Sequence, residues 1–294
     1  MAATLTSHRA RTACAHLHAG GILPPFANLD ERTVVAYLNN GKMRLALRSD
    51  RHKAEAAAAC RRLVSRHSHP MLQTVVDADL LELFVRFLDE HRNPALQVEA
   101  AWVLTNVAAG TRLQTVAVAR SGAVPALVRL LHPAASHLLL SLVAWALANI
   151  ARELRDEVLQ HGALPRLLAV LEYHTHTFRD LHEAASPRSE MIHFLCQLCR
   201  GVPRPPLDVV RPVLPVLVRV ARQSHNTEVL VSVAWALESF VASNRGETPR
   251  TTHSLQAAID AGALHVLVAL ASHPDNTVAA AGARIYQYKR IRTQ

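Results

Sequence analysis

Three tryptophans each stand four residues before a polar side chain, and this spacing is the clearest chemical signal in the chain. They lie in Ala101-Trp102-Val103-Leu104-Thr105-Asn106, Ala144-Trp145-Ala146-Leu147-Ala148-Asn149 and Ala234-Trp235-Ala236-Leu237-Glu238-Ser239. On an α-helix, positions four apart share one face. The Asn amide offers a donor and an acceptor, so it can pair with both backbone groups of an extended peptide. Trp supplies a flat apolar wall for the methylene stem of Lys or Arg and attracts the cationic head. A ladder of such pairs would hold an extended basic peptide largely independently of its other side chains. The competing reading makes the tryptophans core residues, the common place for a large aromatic on a helix.

Other reactive residue types are present without a convincing constellation. Cys196 and Cys199 have the spacing of a metal or redox half-site, but they lie in an apolar helical run and no second pair follows. Buried structural thiols are the simpler expectation. Cys14 and Cys60 do not suggest a disulfide framework. His174, His176 and His182 cluster in sequence, yet lack regular ligand spacing with acids or cysteines. There is no Gly-rich phosphate loop and no nucleophile motif. No catalytic residue, metal or cofactor is therefore expected, and the chain does not read as an enzyme.

The elements that carry these residues repeat. Trp102 and Trp145 are 43 residues apart, and Trp145 and Trp235 are 90 apart, close to two such periods. Near the midpoint of that interval, Met191-Ile192-His193-Phe194-Leu195-Cys196-Gln197 places His193 and Gln197 at the Trp and Asn positions. A second motif runs out of phase with the first, beginning at Gly122, Gly162, Pro212 and Gly262. Gly or Pro ends the preceding helix there, and apolar residues follow at helical spacing. Each period thus reads as a Gly/Pro-initiated helix, a polar loop and a longer helix carrying the Trp position. The loops ending at Thr227 and Thr277 carry helix-start residues.

A period of roughly 40 to 47 residues built from two or three helices is the armadillo/HEAT signature. The expected fold is all-α, a right-handed superhelical armadillo solenoid of about six repeats. No repeat buries its apolar face alone, so each needs its neighbours. The repeats are placed at a degenerate first copy ending in Lys53–Val64, then 76–110, 113–151, 155–201, 208–243 and from 255 onward. An insertion from Tyr173 lengthens the loop of the fourth. Residues 1–27 show no period and are expected to be poorly ordered, with the repeat domain over 28–294.

The formal charge is +9, almost all of it from Arg, since Lys occurs only at Lys42, Lys53 and Lys289. A basic balance raises the prospect of an acidic partner, against the plain reading of solvated helix faces. Stacking aromatics do not interleave with the arginines, which argues against nucleic acid. The longest apolar stretch, roughly Leu138 to Ala151, is too short to span a bilayer, and no secretory signal is evident. No membrane association is expected.

The segment Glu99-Ala100-Ala101-Trp102-Val103-Leu104-Thr105-Asn106, continuing through Gly110 to Thr115, resembles the second-repeat signature of the importin-α family. The stretch Leu198-Cys199-Arg200-Gly201-Val202-Pro203-Arg204-Pro205-Pro206 is similar to that family's fourth-to-fifth repeat junction. The resemblance covers roughly Val75 to Arg290. It implies an adaptor that binds the basic nuclear localisation signals of cargo proteins and works between cytoplasm and nucleus. It implies that Trp102, Asn106, Trp145, Asn149 and Trp235 form a signal-binding ladder, that Gly110 and Thr115 help hold a principal lysine, and that Arg200 lies in the groove. His193, Gln197, Ser239 and Arg284 occupy degenerate groove positions. The family places an Asp in the loop after Asn149; here that loop is shortened, leaving Glu153 as substitute between Arg152 and Arg155. Ser232 stands three residues before Trp235, where an acid is expected. The resemblance also implies a basic N-terminal segment that recruits importin-β, and residues 1–52 hold no such cluster. A divergent, truncated chain of this kind could instead be an armadillo scaffold or a cargo-binding decoy without import activity.

Overall fold

The computed structural model describes residues 26, 29–49, 51–65, 69–174, 187–201, 203–241 and 250–290. The described residues contain seventeen α-helices and no strand. The first compact unit, residues 1–130, holds α1 (Glu31–Asn39), α2 (Lys42–Arg48), α3 (Lys53–Val64), α4 (His69–Asp77), α5 (Leu81–Phe87), α6 (Pro94–Ala108), α7 (Arg112–Arg120) and α8 (Ala123–Leu130). The second, residues 131–294, holds α9 (His137–Gln160), α10 (Ala163–Tyr173), α11 (Arg188–Cys199), α12 (Leu207–Val210), α13 (Val213–Gln223), α14 (Thr227–Val241), α15 (Arg250–Asp260), α16 (Ala263–Ala271) and α17 (Asn276–Arg290).

The repeat has three helices, where the periodicity suggested two. A short first helix precedes each Gly/Pro-initiated second helix, and the long third helix carries the Trp position. Four first-to-second turns use a left-handed residue, supplied by Gly41, Gly122, Gly162 and Gly262 at φ between 75° and 82°, while the turn before α13 passes through Arg211 and Pro212 without one. Gly adopts that region without Cβ strain. In the second repeat Asp79 takes the role at φ 55°, which is why a search for Gly passed over it. Asp tolerates this conformation better than most residues, and the Arg44 guanidinium pairs with its carboxylate.

Four of the third helices begin at side-chain-capped positions, whereas α3 and α11 start without one. Asn93 accepts from Leu96 N at 3.2 Å, Ser136 from Leu139 N at 3.3 Å, Asn226 from Val229 N at 3.1 Å and Asp275 from Val278 N at 3.2 Å. Each cap satisfies one of the orphan amides at a helix start, a contribution of about 1 kcal/mol. In the first unit α3 packs on α6. In the second, α9, α11, α14 and α17 pack in succession. Their apolar faces are fully buried, as at Leu96, Val103 and Leu104 of α6 and Met191, Phe194 and Leu195 of α11. Each such side chain contributes about 1.5–3 kcal/mol of hydrophobic stabilisation.

Two features depart from the sequence expectation. The shortened loop after Asn149 is no loop at all: the third helix of one repeat and the first helix of the next run together as α9, broken only at Leu154 (φ −133°, ψ 43°). By length and composition α9 could cross a membrane, but 61% of its most apolar stretch is buried within the protein. Second, Phe26 falls inside the segment expected to be poorly ordered, yet it is completely buried. Its N–H donates to Glu55 Oε2 at 3.2 Å, its carbonyl accepts from Arg62 Nη2 at 2.8 Å, and its ring meets Tyr37 edge-on. The rest of 1–27, and the insertion at 175–186 with His176 and His182, lie outside the described residues.

Candidate peptide-binding face

In the first unit the Trp position is Trp102 on α6, and its surroundings belong to the protein itself. The Arg61 guanidinium of α3 lies over the indole, 5.5 Å from the ring centroid. Arg61 Nε also donates to Glu99 Oε2 at 2.7 Å, one turn before Trp102 on the same face. The indole N–H donates to Ser65 Oγ at 3.1 Å. A cation, a carboxylate and a Trp of the chain itself thus make a closed set. Asn106 is buried, and its amide nitrogen donates to Trp102 O at 2.8 Å.

In the second unit, α9, α11 and α14 present one continuous face. Trp145, Asn149 and Arg152 follow down α9; Glu190, His193, Gln197 and Arg200 down α11; Glu228, Ser232 and Trp235 down α14. Spacings of three and four residues keep each set on one side of its helix. Trp145 is 48% exposed and Trp235 36%, unusual for residues of this size. With Glu190, His193 and Glu228 they line a cleft of about 390 Å³. Asn149, one turn beyond Trp145, is buried.

His193 stands where the ladder would have a Trp. Gln197 Nε2 lies 3.2 Å from its Nε2, so the imidazole accepts there and is held neutral. Burial lowers its pKa below the ordinary value; the charges of Arg200 and Arg152 lower it further, and Glu190 opposes them.

At the other end of the face, Arg152, Gln197 and Arg200 line a second cleft of about 330 Å³. Arg200 lies over Trp235, 5.5 Å from its centroid. Arg155 is pinned beneath: Nη1 donates to the Arg200 carbonyl at 2.5 Å and Nη2 to Asp156 at 2.7 Å. Glu153 lies 3.6 Å from Arg152 Nε.

Cys196 and Cys199 face inward. Cys196 Sγ donates to Ser232 O at 2.8 Å, and both thiols are buried. His174 Nε2 lies 3.1 Å from the Pro133 carbonyl, which requires the Nε2–H tautomer and uses that nitrogen.

The Armadillo/beta-catenin-like repeat family matches residues 68–109 and 111–152. Importin subunit alpha-2 of Arabidopsis thaliana is 38% identical over 222 residues, covering 74% of this chain and 38% of that protein. Probable importin subunit alpha-A of Dictyostelium discoideum is 32% identical over 227 residues, covering 74% and 40%. Among solved structures, a designed armadillo repeat protein in complex with the peptide (KR)4 is 25% identical, with a TM-score of 0.70 over 84% of this chain and 98% of its own. The chain is a divergent armadillo-repeat member of the importin-α family. It spans about two fifths of the length of the curated relatives it matches.

Within this importin-α chain the site positions separate into three groups. Trp145, Trp235 and Arg200 are accessible and gather on one face of the second unit with His193 and Gln197. Trp102 is occupied by Arg61. Thr115 is fully buried, its hydroxyl 2.9 Å from Ala108 O, so no ligand side chain reaches it. Gly110 is covered by the Gln114 side chain, whose Oε1 would lie 2.1 Å from an added Cβ. Ser239 donates its hydroxyl to Ala236 O at 2.6 Å and borders a separate cavity with Cys199 and Phe240. The Arg284 side chain lies outside the described residues. Glu190 and Glu228 were missed by the ladder reading; they stand one turn before His193 and two turns before Trp235.

Proposed function

We propose that this chain binds extended peptides rich in Lys and Arg across the α9–α11–α14 face, as an importin-α-type adaptor for nuclear localisation signals acting between cytoplasm and nucleus. The observation that carries the reading is the exposed Trp145–Trp235 pair bracketing a cleft with Glu190 and Glu228. The Trp145 wall suits the alkyl stem of a Lys or Arg, Trp235 adds the part of its ring that Arg200 leaves uncovered, and two carboxylates suit the cationic head. The (KR)4 peptide bound by the designed armadillo repeat protein supports a ligand of this class. A fluorescently labelled Lys/Arg-rich signal peptide titrated into the chain should bind saturably. Trp145→Ala combined with Trp235→Ala should weaken it at least several-fold. Equal affinity in wild type and the double variant overturns the proposal. The import step is a separate claim, read by nuclear accumulation of a signal-bearing reporter in permeabilised cells with the chain supplied as adaptor.

A further inference from the structure

The three tryptophans are not equivalent as walls for a cation. In the first unit the Arg61 guanidinium covers Trp102. In the second unit the Arg200 guanidinium covers Trp235, 5.5 Å from its ring centroid. The position between Trp145 and Trp235 holds the neutral imidazole of His193 rather than an indole. Among the described residues no cation lies over Trp145, which is 48% exposed.

Charge divides the face of the second unit in the same way. The cleft beside Trp145 is lined by two carboxylates, Glu190 and Glu228, and by no basic side chain of the described residues. The other cleft sets Glu153, Asp156 and Glu157 against Arg152, Arg155 and Arg200, so its charges balance. Two of those acids already face arginines: Glu153 lies 3.6 Å from Arg152 Nε, and Asp156 lies 2.7 Å from Arg155 Nη2. A ligand cation brought to the covered side of Trp235 would meet the like charge of Arg200. An open indole and carboxylates without a lining arginine thus coincide at one position, beside Trp145.

We infer that this face takes a single Lys or Arg side chain per peptide, at Trp145 with Glu190 and Glu228, and that Arg200 is the specificity residue that closes Trp235 to a second. The ligand class is an extended peptide with one basic residue in a neutral context. Further basic residues add registers but no further contact, and the formal charge of +9 on the chain opposes them.

The inference rests on the peptide-binding reading, and two labelled peptides of equal length separate the two. One carries a single central Lys among Gln and Ser; the other carries three Lys at alternate positions, which lie on one side of an extended strand. Both are titrated into the full chain at about 0.15 M salt, where charges more than about 8 Å apart are largely screened. The three-Lys peptide should bind at most about three-fold tighter, the gain from its three registers, whereas simultaneous use of a second position would add avidity beyond that factor. Arg200→Ala should raise this ratio several-fold by opening Trp235. Arg166→Gln, which removes an exposed Arg of α10 in the same unit, should leave it where it was. Trp145→Ala should weaken the single-Lys peptide more than Trp235→Ala does. A wild-type ratio above three-fold overturns the inference and leaves basic-peptide binding standing. So does a ratio unmoved by Arg200→Ala, an equal rise with Arg166→Gln, or an equal or reversed order of the two Trp variants. Failure of both peptides to bind overturns the peptide-binding reading as well.

Discussion

The guanidinium carbon of Arg61 sits 5.5 Å from the ring centroid of Trp102, and Glu99 holds it there through a 2.7 Å hydrogen bond from Arg61 Nε. A side chain of the first repeat thus does to the second repeat's Trp what a ligand cation would do. Among the described residues no cation lies over the exposed Trp145 in this way.

Removing Arg61 should therefore open a binding position. An exposed cation–π contact is worth about 0.5–1 kcal/mol, so Arg61→Ala should raise affinity for a Lys/Arg-rich peptide by about two- to five-fold. Titration in a background carrying both Trp145→Ala and Trp235→Ala isolates the effect to the first unit. Unchanged affinity would mean that Trp102 is not a ligand contact.

The sequence made the repeat and its Trp positions readable because periodicity survives where geometry repeats. It did not reveal which rungs are vacant. That depends on Arg61 reaching a residue 41 positions later and on Arg200 reaching one 35 positions later, contacts that no local pattern announces. Thr115 illustrates the reverse error. Its match to a family motif is good, but its hydroxyl serves the turn between α6 and α7.

Stability should depend on pH through His193. Its folded pKa is depressed, mainly by burial and secondly by Arg200 and Arg152. Below the ordinary value of about 6.5, the unfolded chain binds a proton that the folded chain still refuses. Stability is therefore lost as pH falls through that window. Urea midpoints measured across it should fall more steeply for wild type than for His193→Gln, and parallel curves would contradict this.

The buried thiols should be inert in the native state. Burial pushes Cys60 and Cys196 up to about 12 and Cys199 well above its ordinary value. At pH 8 a thiol of that kind is ionised about once in ten thousand. A thiol-reactive dye should label these three only after denaturant is added. Rapid native labelling of all three would show that their burial is wrong.

Two glycines should respond in opposite order to the same pair of substitutions. At Gly162, φ is 77° and nothing lies within 4 Å of an added Cβ, so only backbone strain matters. Asn, which tolerates that region, should cost less there than Ala, which incurs about 1–2 kcal/mol. At Gly282 an added Cβ would lie 2.5 Å from Ala271 N and 2.7 Å from Leu270 C, so size decides. Ala should cost about 1–3 kcal/mol there, and Asn more. Denaturant midpoints of the four variants give the ranking.

The break at Leu154 has a consequence for how this groove could change over time. Where importin-α resemblance implies an acid-bearing loop, α9 leaves one residue between the end of one repeat and the start of the next. Point mutation can alter the side chains on either flank, but it cannot restore a loop that has no residues. Restoring that loop would take an insertion, and any insertion would also have to re-seat Arg155 beneath Arg200. The backbone spacing at this joint is thus set by chain length rather than by residue identity.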